Sequence, residues 1–372
     1  MRNRMWFSLS ALEVVVAVVL WGPTFLSAQA QSGAITKTAA KTNTEAAASK
    51  KAWTMPRTPD GRPDLQGYWT SLSFTPMERP AKYGNREFLT DQETQELFNA
   101  GVRGSFDGAA GTGDAENDPT SADYDFKTYG LSPWQNGVRP NHRTSLVVDP
   151  PNGKIPPLTP AGEARRKAAQ GYFVAEEGHW QGVVHADVAK DLGVGVTCVA
   201  LHGGPPIIPG GYNSGLMIVQ SPGYVVIQTE YGSEVRVIPL DGHPHPSANV
   251  RQWHGDGRGH WEDDTLVVET TNFRPENAYR NANADTLKIT EYFTRTDAET
   301  IEYKFTVDDP STWTKPWTAI VPLSTVQGPL WEYACSESNN DAIQILAGAR
   351  LAEKAAADKA KTPAGVPISQ SK

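Results

Sequence analysis

Only two cysteines occur in the 372 residues, and no apolar run approaches the about 20 residues that a membrane-spanning helix needs. The most apolar stretch, Val14 to Leu20, stops at Trp-Gly-Pro. There is no basic excess either: 34 Lys and Arg stand against 42 Asp and Glu, a net charge of -8, which leaves no electrostatic footprint for a nucleic-acid backbone or an anionic lipid surface. Nucleic acid is excluded as an expected partner. The chain also lacks a Gly-x-Gly-x-x-Gly turn, a Walker loop, a Gly-x-Ser-x-Gly elbow, His-Glu-x-x-His and Cys-x-x-Cys. Nucleotide cofactors, the usual serine hydrolases and the common zinc signatures are therefore unsupported, and no cofactor is expected. No pattern specifies an oligomeric state.

What the chain has in quantity is punctuation, with 33 glycines and 28 prolines, which argues for turns and short elements over a helix bundle. Residues 1–30 read as a signal peptide: Arg2 and Arg4, an apolar centre at Val15–Trp21, then Ala28-Gln29-Ala30 as a cleavage site. The expected address is export, to the periplasm or beyond, with no membrane span after cleavage. Residues 31–52, rich in Ala, Thr, Lys and Ser, cannot bury enough apolar area to offset ordering and read as a disordered tether. A single β-rich domain is expected over 53–362. Within it, 53–210 wraps a scaffold and holds short helices at Thr90–Ala100 and Thr159–Gln170, 215–325 forms the sheet, and 338–362 is a helix. A tail at 363–372 follows.

The sheet is predicted from β-branched and aromatic runs at Gly215–Ser221, Tyr224–Tyr231, Glu234–Leu240, Thr265–Phe273, Thr286–Arg295, Thr300–Asp308 and Thr318–Ser324. Links such as Ser221-Pro222-Gly223 are of hairpin length, so neighbours should be antiparallel. The fold class is mainly β, an antiparallel meander or barrel. Cys198 and Cys335 are expected to form one disulfide in an exported chain. The other reading is a nucleophilic Cys198 with His202 as its base.

The segments TPDGRPDLQGYWT (58–70), RTSLVVDPPNGKIPPLTP (143–160), VIPLDGHPH (237–245), RQWHGDGRGHWEDDTLVVETTNF (251–273), DPSTWTKPWT (309–318) and WEYAC (331–335) resemble those of a large family of exported bacterial proteins of unknown function. The resemblance implies an exported, β-rich single domain. Where that family commonly carries histidine, this chain has Ser233 and Ser336, so a family site built on those imidazoles would be altered here. Gly67-Tyr68-Trp69 is also similar to the Gly-x-Trp opening of lipocalin-like barrels. A closed meander of that kind removes exposed sheet edges and leaves an interior able to hold a ligand.

Two clusters carry candidate chemistry. His243, His245, His254 and His260 lie close together, with Asp256 and Glu262 to Asp264 among them. His243 and His245 flank Pro244 and would point the same way in an extended segment, so His243, His245 and His254 are the candidate metal ligands of a hydrolase, against the plainer reading of a solvated loop. The sharper signal is strand parity. Glu291 falls between Ile289 and Phe293 on an apolar face; Glu269 shares a face with Val267 and Thr271, and Glu230 with Val226 and Gln228.

Three strands would then present Glu291, Glu269 and Glu230 to one interior, where desolvation suits a carboxylate to acid–base work. The competing reading pairs Glu269 and Glu291 with Arg236, Lys288 or Arg295. Tyr292 completes the catalytic set, with Tyr212, Arg251, Trp253 and Trp261 as ligand contacts. The expected function is binding of a small amphipathic organic molecule in an aromatic and carboxylate pocket, with isomerase, lyase or hydrolase chemistry as its extension. A non-catalytic envelope interaction protein is the other alternative. On the pocket reading, Glu291→Gln impairs ligand response more than folding.

Overall fold

The structure is a computed structural model describing residues 53–106, 137–169, 175–176, 179–180, 188, 192–201, 204–210, 213–337 and 339–361. The expected leader, tether and tail, and His202, lie outside the described residues. In chain order the elements are β1 (Gly67–Thr70), α1 (Asp91–Phe106), β2 (Val147–Asp149), α2 (Pro160–Ala169), β3 (Ala175–Glu176), β4 (His179–Trp180), α3 (Gly193–Val196), β5 (Gly215–Ser221), β6 (Tyr224–Thr229), β7 (Val235–Pro239), β8 (Asp256–Glu262), β9 (Thr265–Thr271), β10 (Lys288–Arg295), β11 (Thr300–Asp308), β12 (Trp317–Thr325) and α4 (Asp341–Lys361).

Nine strands run β7-β6-β5-β1-β12-β11-β10-β9-β8, every pair antiparallel, with β2 added to β12. The sequence pattern anticipates the hairpins. Gly223 turns β5 into β6 with φ +82°, a conformation open to glycine, and Asp263 at φ +49° turns β8 into β9. Both long helices in the first half start on side-chain caps. Thr90 Oγ1 accepts the Glu93 N–H at 3.2 Å while Glu93 accepts the Thr90 N–H at 2.9 Å, a capping box opening α1. Thr159 Oγ1 accepts the Gly162 N–H at 3.0 Å ahead of Pro160 in α2.

Two expectations need correction. The segment before residue 210 does not only wrap the sheet, because β1 inserts between β5 and β12 and joins two meanders that have no ladder to each other. Trp69 anchors it, buried, with its indole N–H donated to the Leu65 carbonyl at 3.0 Å. Residues 256–262, read as part of a histidine-rich loop, form β8. Their two glycines hide the strand from a propensity reading, and one of them, Gly259, is what the place requires. A Cβ on Gly259 would meet Leu240 Cδ2 at 2.7 Å and Ile238 Cγ2 at 2.9 Å, so only bare backbone lets β8 approach the side chains of Ile238 on β7 and of Leu240 just past its end. β7 and β8 lie side by side without ladder hydrogen bonds, and the barrel is nearly closed.

The interior is filled by side chains. Phe293, Tyr303, Phe305, Trp317 and Trp313 form a chain of rings with successive centroids 4.8 to 6.1 Å apart, among Leu216, Ile218, Ile227, Val268 and Ile289. Outside the barrel, Cys198 and Cys335 are bridged across 137 residues. That bond settles the cysteines as a disulfide and removes the thiol nucleophile. No described helix is long and apolar enough to cross a membrane.

Candidate functional site

Parity on β10 holds: Ile289, Glu291 and Phe293 all point inward and Glu291 is fully buried. Arg236 of β7 meets it with both terminal nitrogens, Nη1 to Oε1 at 3.0 Å and Nη2 to Oε2. Tyr303 of β11 donates its hydroxyl to Glu291 Oε1 at 2.9 Å and accepts the Ile207 N–H at 2.9 Å. Burial, reinforced by the neighbouring carboxylate, pushes the Tyr303 phenol well above its ordinary range. Glu291 thus lies fully buried on the inner face of the sheet, bonded on both oxygens.

Glu269 and Glu230 do not join it. On β9 the inward residues are Leu266, Val268 and Thr270, so Glu269 stands on the outer face, 3.3 Å from Lys288 Nζ. On β6 the inward set is Val225, Ile227 and Thr229. Glu230 follows that strand with its carboxylate against Gly215, and burial pushes its carboxyl up. The physical reason is the period of two: Glu269 and Glu230 share parity with residues whose neighbours fill the core, and a half-apolar strand does not announce which parity is inner. The pairings with Arg236 and Lys288 are the ones the strands make.

The aromatic and arginine contacts are also redistributed. Arg251 donates to the Phe273 carbonyl at 3.0 Å and pairs with Asp285, while Arg274 covers the Trp253 ring at 4.2 Å. Trp261 packs against the core with its indole N–H buried and unbonded. Tyr212 lies outside the described residues.

The histidines disperse, each to its own acceptor. His243 takes Asp241 at 2.9 Å, His254 takes the Gly204 carbonyl at 3.0 Å with Glu234 3.4 Å away, and His260 takes Glu262 at 2.9 Å. His245 Nδ1 lies 2.8 Å from Asp256 Oδ1, and its Nε2 lies 3.7 Å from Glu269. Among the described residues no three His, Cys, Asp or Glu side chains gather as a metal would require, so His243, His245 and His254 are not brought together. The sequence reading passed over Asp256 as an anchor. It is held by Arg258 at 2.7 and 3.1 Å and by Gln252 at 3.3 Å, and its signal was an acidic residue at alternate spacing from an arginine.

Tyr292, opposite in parity to Glu291, lies on the outer face in a groove of about 280 Å³ shared with Glu262, Asp263, Thr265, Thr294, Glu302 and Lys304. Strand register builds it: Glu262, Thr265, Thr294 and Glu302 form one row across β8 to β11, and Tyr292 and Lys304 stand side by side in the next. Lys304 Nζ sits 4.3 Å from the Tyr292 ring centre, and Thr265 and Thr294 share a 2.7 Å hydrogen bond. No family model, curated protein or solved structure matches the chain.

Proposed function

We propose that the chain is an exported barrel protein, akin to the exported family its motifs resemble, that binds a small amphipathic organic molecule on its outer face at Tyr292. The observation that carries this reading is the groove itself. It gathers an aromatic ring, Tyr292, with three carboxylates, Glu262, Asp263 and Glu302, and one ammonium, Lys304. A ligand with a flat apolar body and an amine lays the body along Tyr292 and offers its charge to one of these carboxylates. An acidic group on the same ligand turns to Lys304. Tyr292 and Glu302 are then the groups placed to move a proton if the bound molecule reacts. Export is supported by the Ala28-Gln29-Ala30 leader pattern and by the disulfide, which persists in oxidising compartments.

The test is isothermal titration of the oxidised chain from residue 31 onward with a panel of aryl-alkyl amines and amino acids. At least one saturable ligand is expected, weakened tenfold or more by Tyr292→Ala and by Glu302→Gln. A panel without a Tyr292-dependent ligand sinks the reading and favours an interaction protein.

A further inference from the structure

We infer that the buried Arg236–Glu291–Tyr303 network is a second, closed ligand site inside the barrel, and that residues 204–210 occupy it as a built-in substitute for a small neutral molecule.

A buried ion pair earns little net stability, since apolar side chains of similar volume fill the same space without desolvating two charges. The network is also incomplete within the barrel. The Tyr303 hydroxyl gives its proton to Glu291 and takes its own donor from Ile207 N–H, which belongs to none of the barrel strands. The Ile207 side chain is buried in the same core cluster as Phe293 and Tyr303. Ile207 thus supplies a compact branched apolar group and one hydrogen-bond donor, which is what a short branched alcohol or primary amide would supply. A carboxylate ligand fits poorly, because both Arg236 terminal nitrogens already face Glu291.

Among the described residues the occupant, whose Pro205, Pro206 and Ile207 are buried, joins no strand ladder and is held by packing and a few side-chain hydrogen bonds. Ser71 Oγ donates to the Ile208 carbonyl at 3.1 Å, His254 meets the Gly204 carbonyl at 3.0 Å, and the Ile208 side chain already reaches solvent. Arg236 stands on β7, at the seam where β7 and β8 adjoin without ladder hydrogen bonds. That wall can part without breaking a ladder, so displacement of Ile207 has a route that leaves the sheet intact.

The probe is 2-methylbutan-1-ol, which carries the branched side chain of isoleucine and one O–H donor. It is titrated into the oxidised chain while the Ile207 amide and methyl resonances and the amide exchange rates are followed by NMR. Expected are exchange of the Ile207 amide through a denaturant-independent opening, at least tenfold faster than the β11 amides, and a saturable shift of its methyl groups. Tyr303→Phe should weaken the alcohol response tenfold or more, whereas Tyr292→Ala leaves it unchanged, which separates this site from the outer groove. The wild-type exchange measurement stands even if Tyr303→Phe fails to fold. An Ile207 amide that exchanges only with global unfolding, or a shift that rises linearly without saturating, overturns the inference.

Discussion

Replacing Glu291 by glutamine changes one oxygen for an amide group and leaves Arg236 facing no anion. The Arg236 and Glu291 side chains are 6 % and 0 % exposed, so water cannot make up the loss. Removing one member of a buried pair costs about 3–5 kcal/mol, because the survivor remains desolvated. The lower part of that range applies if the amide keeps the Tyr303 hydrogen bond. At roughly 2 °C per kcal/mol for a unit of this size, the midpoint should fall by about 6–10 °C. Urea denaturation at neutral pH measures the loss directly. The double variant Arg236→Met, Glu291→Leu removes both charges while keeping volume, and should recover most of the stability lost by Glu291→Gln. A Glu291→Gln loss below about 1 kcal/mol, or a double variant weaker than either single change, would refute the claim of a closed, fully desolvated pair. The substitution read from the sequence as a lesion of ligand response becomes, with the burial known, a lesion of folding first.

Thiol titration of the denatured, unreduced protein should find no free thiol, and reduction should lower stability by up to about 5 kcal/mol, the chain-entropy figure for so long a loop. Gly259→Val should open the β7–β8 seam at a cost of about 1–3 kcal/mol by overpacking Leu240 and Ile238, whereas Gly257→Ala, with 3.4 Å to its nearest neighbour, should fall by less; thermal denaturation of the two variants checks the order. Burial would raise the Asp309 carboxyl, but hydrogen bonds from Thr312, Thr286, the Asn283 N–H and Ser311 prevail and hold it below its ordinary 3.8. A lowered folded value means that this stabilisation is intact above the unfolded value and is lost as pH falls through the folded one. Asp309→Asn should therefore flatten the acid limb of urea midpoints below about pH 4, and an unchanged limb would count against it.

Local pattern was enough for several elements because their information is local. The runs at Gly215–Ser221 and Thr300–Asp308 became β5 and β11 at the same residues, since alternation and short turns constrain a hairpin without help from the rest of the chain. Glu291 inside the barrel was likewise legible from Ile289 and Phe293. Thr159 ahead of Pro160 marked the start of α2 as its cap. What the sequence alone determined is therefore a β-rich chain of antiparallel hairpins with one carboxylate on an apolar face.

Only the tertiary structure decided the rest, because it depends on partners far away in the chain. β1, at residues 67–70, finds β12 some 250 residues later, a pairing no local period encodes. β8 packs beside β7 because Gly259 leaves room for the side chains of Ile238 and Leu240, a fact of close approach between strands. Whether Glu269 and Glu230 face in or out was set by which face the remaining strands bury, and Tyr292 became a groove residue only when Glu302 and Lys304 were laid beside it by register.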